Sequence, residues 1–286
     1  MIITLLTFAC VTFAAQKEDC PTNTESLRHG NLGTRYWENG QYELAEKETR
    51  EAIKYDPDCS VWYQNLGVIL DSIGRSDEAS RNWQKALQIN KKWCTATRTE
   101  SLFALGLYYN RKRDYGKSIK YFEDALRMAK AENIDKGLLG SIYLYHSYNY
   151  TEPKELGNPY YNLKIAEALK QKAFDLKPND LFIKASIAKL LVLQNKTADA
   201  NRTIAEIISA QEKDPSPNPG VYSYLAHIFA LRKDSRNAAL YMEKAINLDS
   251  RQAHYLLDEL DKDFRQVSSA KEMQSVIVKA KNISIK

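Results

Sequence analysis

The residues of this 286-residue chain that could carry chemistry are four histidines, four cysteines and a scatter of carboxylates. His29, His146, His227 and His254 stand singly. None stands in a motif that fixes it against a carboxylate or nucleophile partner, so none is read as a general base. The chain has no Gly-rich phosphate loop, no GxSxG and no HExxH. Cys10, Cys20, Cys59 and Cys94 show neither CxxC nor Cys/His metal spacing, so no metal site is expected. The carboxylates of EKETREAIKYDPD (46–58) alternate with cations as on a solvated helix face, and RKRDYGKSIK (111–120) reads as exposed turn charge. The expectation is a protein with no catalytic residue and no cofactor.

What organises the chain is repetition. NLGTRYWENG (31–40) and NLGVILDSIG (65–74) start 34 residues apart. The same skeleton returns in LFALGLYYNRKRDYGKSIKYFEDALRMAK, in LLGSIY with AEALKQKAFDLKP, in SIAKLLVLQNKTADANRTIAEIIS and in YLAHIFALRKDSRNAALYMEKAINLD. One recurring position falls at Ala52, Ala86, Ala125, Ala173, Ile207 and Ala245, in steps of 34, 39, 48, 34 and 38. The longer steps place insertions between helices. Each frame has apolar residues three and four apart, the signature of two amphipathic helices. Small residues at the eighth position (Gly33, Gly67, Gly106, Gly140, Ala188, Ala226) allow close helix approach. Gly40 and Gly74 suit a turn with positive φ, and Pro57, Pro178 and Pro215 fall where second helices should stop.

This pattern resembles the tetratricopeptide repeat family, whose unit is a 34-residue helix–turn–helix. The resemblance implies an all-α fold: a right-handed superhelical solenoid of about six repeats with a C-terminal capping helix. The frames are 26–59, 60–93, 99–132, 133–180, 181–214 and 219–252, followed by a capping segment, 253–286. The fourth frame holds 14 extra residues between its helices, including Pro153, Gly157 and Pro159. Its first helix is expected to end near Tyr150 and its second to restart near Pro159.

The N-terminus carries a separate signal. MIITLLTFACVTFAA (1–15) has no charge, and QKEDC then turns polar. It reads as a secretory signal peptide over 1–15 followed by a linker, 16–25, and is too short to remain as a membrane span. No Lys or Arg precedes the apolar run. A second reading makes Cys10 in LTFAC a lipid-attachment cysteine, and a third leaves an uncleaved apolar helix. The expected location is exported: periplasmic, envelope-associated or secreted, with membrane attachment only through a lipid on Cys10. Cys59 and Cys94 occupy equivalent turns one repeat apart, roughly 10 Å, so they form a disulfide only if a turn bends.

The resemblance also implies a ligand surface, since the first helix of each tetratricopeptide frame lines the concave side. Carrying over its ligand-facing positions gives Trp37, Gln64, Asp71, Phe103, Asn110, Arg111, Tyr145, Phe182, Lys189 and His227, with Thr34, Val68, Leu107, Ser141, Leu144, Val192 and Ser223 beside them. The cations of the carboxylate-binding subset are missing: Gly30, Gln64 and Phe103 stand where a lysine is needed, although Asn65 matches its asparagine. The expected role is an exported, non-catalytic adaptor that binds a protein or peptide in its groove. The alternatives are an envelope lipoprotein assisting assembly of a secretion or pilus complex and an accessory subunit of an enzyme complex. The net charge of +5 is dispersed, and no nucleic-acid partner is expected.

Overall fold

The computed structural model describes residues 24–89, 95–131, 134–152, 157–260 and 264–284. The proposed signal peptide, Cys10, Cys20 and Cys94 lie outside these residues. Among the described residues there are fourteen α-helices and no strand. They belong to two compact units that divide between Tyr161 and Asn162, inside the fourth frame.

The first unit contains α1 (Thr24–Glu38), α2 (Tyr42–Tyr55), α3 (Ser60–Ser72), α4 (Ser76–Gln88), α5 (Thr95–Arg111), α6 (Tyr115–Ala131) and α7 (Lys136–Tyr148). α1 pairs with α2, α3 with α4 and α5 with α6, and the first helices α1, α3, α5 and α7 pack in succession. The second unit contains α8 (Leu163–Leu176), α9 (Leu181–Leu193), α10 (Thr197–Lys213), α11 (Pro219–Leu231), α12 (Ser235–Leu248), α13 (Arg251–Asp258) and α14 (Lys271–Ser284). There α9 pairs with α10 and α11 with α12. The terminal segment forms two helices instead of one. It buries Leu256, Phe264, Met273, Ile277 and Ala280 in the same core as α11 and α12.

The pairing follows from side-chain size. A Cβ added at Gly67 would lie 2.3 Å from Trp83 Nε1, and one at Gly106 would lie 2.9 Å from Phe122. The small residue on the first helix is the floor on which the large residue of the second helix lies. At the hairpin turns the chain passes through a positive φ at Gly40 (72°), Gly74 (81°), Arg113 (59°), Asn195 (58°) and Lys233 (60°). Only two of these five are glycine, because the turn's geometry is imposed by the helices on either side.

The fourth frame departs from the rest. α7 stops at Tyr148, slightly short of the expected end. α8 restarts at Leu163, where the Asn162 side chain accepts from the Lys164 and Ile165 amides. An Asn cap satisfies free helical N–H groups, and here it sets the start in place of Pro159. The position filled by Thr49, Trp83, Phe122, Ile204 and Met242 in the other frames holds Lys170, which is only 2% exposed. Burial, followed by repulsion from Lys189, lowers its pKa well below the ordinary lysine value. A lysine so shifted destabilises the fold wherever the unfolded chain still holds the proton, so stability should rise with pH toward the ordinary lysine range. Lys170→Met should therefore raise the midpoint of denaturant unfolding at pH 7 by the equivalent of about 1 kcal/mol or more and flatten its rise between pH 8 and 10.

Candidate functional site

In the first unit, the residues expected to meet a ligand are engaged mainly with one another. Trp37 Nε1 donates to Ser72 Oγ at 3.0 Å, joining α1 to α3. The Arg111 guanidinium donates to both oxygens of Asp71, at 2.8 and 3.2 Å, joining α5 to α3. The Ser76 hydroxyl adds a bond to Asp71 Oδ1 at 2.7 Å. Asn110 Nδ2 donates to Asn149 Oδ1 at 3.0 Å, tying α5 to the end of α7. Each bond runs from the end of one first helix to the end of the next, so the three form rungs between successive frames. The Asp71 side chain is 4% exposed, and burial pushes the Arg111 pKa down against the opposing pull of that carboxylate.

Phe103 and Tyr145 are buried and pack ring to ring, with centroids 5.6 Å apart, and Phe103 also meets Phe122 at 6.0 Å. Gln64 is 1% exposed, and neither atom of its amide has a hydrogen-bond partner among the described residues. The insertion after α7 is clasped to the hairpin turn of the third frame. Glu152 binds Tyr115 and Arg113, while Asn158, itself buried, donates to the carbonyls of Asn149 and Glu152. Cys59, at the N-cap of α3, is buried beside Trp62 and disulfide-bonded, with a partner outside the described residues. Its proposed pairing with Cys94 lies there too.

The second unit gathers a different set. Phe182 and Lys189 are half-buried against Tyr224: the Phe182 ring meets it edge-on at 4.9 Å, and Lys189 Nζ lies 6.0 Å from the ring centroid. His227 is buried among Tyr224, Tyr255 and Phe264. Tyr224, the centre of this cluster, was missed because it lies one residue beyond Ser223 in the transferred register. Asn149 and Ser72 were missed because single polar residues carry no periodic signal. The aromatic run Tyr222–Tyr224 was the available hint. Among the described residues, no group of three His, Cys, Asp or Glu side chains gathers as a metal site would require.

Comparison with known proteins agrees with the geometry. Models of the tetratricopeptide repeat match residues 29–59 and 58–131. An Hsp70-Hsp90 organising protein of Plasmodium falciparum is 30% identical over 118 residues, covering 38% of this chain and 47% of that protein. The chain therefore spans less than half the length of this relative. A tetratricopeptide repeat protein from Parabacteroides merdae superposes with a TM-score of 0.62 at 18% identity, over 85% of this chain and 84% of that one. PilW, a type IV pilus biogenesis factor, does so with a TM-score of 0.60 at 17% identity, over 89% and 99%. At such identities the likeness is one of fold.

Two measurements probe the first unit. Arg111→Met leaves the Asp71 carboxylate buried with only the Ser76 hydroxyl, and should cost about 3 kcal/mol of unfolding free energy. Adding Asp71→Leu should recover part of that loss in a double-mutant cycle. His146 is buried, stacks on Phe122 at 5.6 Å and lies 3.4 Å from the Tyr150 hydroxyl; burial lowers its pKa to about 4. The unfolded chain takes up this proton first, so the stability His146 provides is complete above pH 6.5 and drains as pH falls toward 4. The full loss is about 3 kcal/mol. In His146→Gln the decline in denaturant midpoint between pH 6.5 and 5 should be shallower than in the parent.

Proposed function

Since this chain is a tetratricopeptide repeat protein, we propose that it serves as a non-catalytic scaffold of an exported compartment, holding a partner protein or peptide on its concave side. The fold supports protein binding in general. The observation that carries the finer reading is the Phe182–Lys189–Tyr224 cluster of the second unit. It combines two aromatic rings and a cation, all half-buried, of which Phe182 and Lys189 stand at positions where the family meets its ligands and Tyr224 lies one residue beyond such a position. Partly exposed aromatics with an apolar body and a polar tip are frequent anchors of protein interfaces. In the first unit the corresponding positions are largely committed to rungs and core.

Export is supported by two features that do not depend on each other. One is the uncharged apolar run at residues 1–15. The other is the disulfide at Cys59, a bond that persists mainly in oxidising compartments. Tagged protein recovered from its native source, with mass spectrometry of co-purifying chains, tests the reading. Phe182→Ala combined with Tyr224→Ala should reduce partner recovery at least tenfold while helical circular dichroism stays within a tenth of the parent. Undiminished recovery would remove the second unit's cluster from the interface.

A further inference from the structure

Four asparagines stand in Asn-x-Ser/Thr triplets without proline: Asn149-Tyr150-Thr151, Asn195-Lys196-Thr197, Asn201-Arg202-Thr203 and Asn282-Ile283-Ser284. This triplet is the acceptor signal for an N-linked glycan, an addition so bulky and polar that it is tolerated only where the asparagine meets water. Burial separates the four. Asn149 is fully buried: its Oδ1 accepts from Asn110 at 3.0 Å and its Nδ2 donates to the His146 carbonyl at 3.2 Å. A sugar on that nitrogen would push into the packing that joins α5 to the end of α7. Asn195 is the opposite case. It is exposed at the α9–α10 hairpin with φ 58°, a left-handed conformation that asparagine adopts more readily than most residues. Its backbone N–H donates to the Val192 carbonyl at 3.0 Å, and Lys196 and Thr197 beside it are exposed as well. Asn201 is exposed on α10, which turns Ala200, Ile204 and Ile207 inward instead. Among the described residues no hydrogen bond holds the side-chain amide of Asn195 or Asn201. Asn282 is exposed too, but stands alone on α14.

We propose that Asn195 and Asn201 carry N-linked glycans, which give the second unit a sugar-bearing edge at the α9–α10 hairpin. In the transfer, the side-chain amide nitrogen bonds to the anomeric carbon of an oligosaccharide held on a lipid diphosphate. The bond from that carbon to the phosphate oxygen breaks, the lipid diphosphate leaves with the electron pair, and the amide nitrogen gives up one proton. Donor and transferase belong to a secretory membrane, so the assignment rests on the export reading and adds what is done to the chain on that route. Surface loops are where such additions are accommodated without disturbing a core. The glycans keep this hairpin in solvent, and a partner engages the second unit elsewhere.

The full chain, produced in a cultured cell with an N-glycosylating secretory route, tests this in two forms. One keeps its own N-terminus, and the other carries an established cleavable secretory signal ahead of Met1. Peptide-N-glycosidase treatment of the secreted protein in heavy-oxygen water converts each glycan-bearing asparagine to a mass-labelled aspartate. Mass spectrometry should find the label at Asn195 and Asn201 and none at Asn149. Asn195→Gln and Asn201→Gln should each remove one step of the gel shift that the enzyme abolishes. In the signal-led form, absence of label at both residues would overturn the proposal. So would label at Asn149 in soluble secreted protein, since burial would then not select the acceptors. Protein recovered from its native source with Asn195 and Asn201 unlabelled would overturn it as well. If the form with its own N-terminus stays in the cytosol while the signal-led form is labelled at both residues, the export reading fails and the two acceptors stand.

Discussion

The fold depends on one steric match, repeated: a residue with little or no side chain on the first helix of a frame faces a large one on the second. Gly67 beneath Trp83 and Gly106 beneath Phe122 bring two helices close enough that a single added methyl would collide with a ring. Ala188 with Ile204 and Ala226 with Met242 occupy the equivalent positions in the second unit, all four buried. Interiors packed this densely tolerate extra volume poorly. The match therefore sets how closely the helices pair, and with it where the remaining side chains of each first helix can reach.

Once paired, the first helices end near one another, and their terminal polar residues meet. The Trp37–Ser72, Asp71–Arg111 and Asn110–Asn149 contacts are a consequence of that register. They place polar and charged groups partly out of water, Asp71 most of all, where each is costly without its partner. The frames thus become mutually dependent through a few part-buried bonds as well as through apolar surface. A side chain in such a rung can take little part in recognition, so the half-buried rings and lysine around Tyr224 are the more accessible anchors.

The fourth frame shows what happens when the match is relaxed. Its core position carries Lys170 in place of an apolar or aromatic side chain, its helices are separated by an insertion, and the division between the two compact units falls within it. The insertion is still not a loose ornament. Glu152 holds it against the third hairpin, and Asn158 ties it back to the carbonyls of Asn149 and Glu152, with Asn149 fully buried. Its tyrosines divide accordingly: Tyr150 is buried and Tyr160 is exposed.

By itself, the sequence was enough to establish the helical repeats and the small residues that allow their pairing, because a packing rule repeated every 34 residues leaves a periodic trace. The same alignment already set Lys170 in the column of Trp83 and Phe122, a conflict that could have been read without coordinates. The positive-φ turn at Arg113 and Lys233 was not legible, since these residues adopt it only because the flanking helices impose it. Nor were the rungs, whose partners lie 35 to 40 residues apart and meet only after the helices stack. The same holds for the candidate site. Residue type and register named Phe182, Lys189 and His227, while tertiary packing decided that Tyr224 gathers them. It also decided that Asp71, Arg111 and Asn110 bind each other, because burial turns a polar side chain toward whatever partner the neighbouring helix brings within reach.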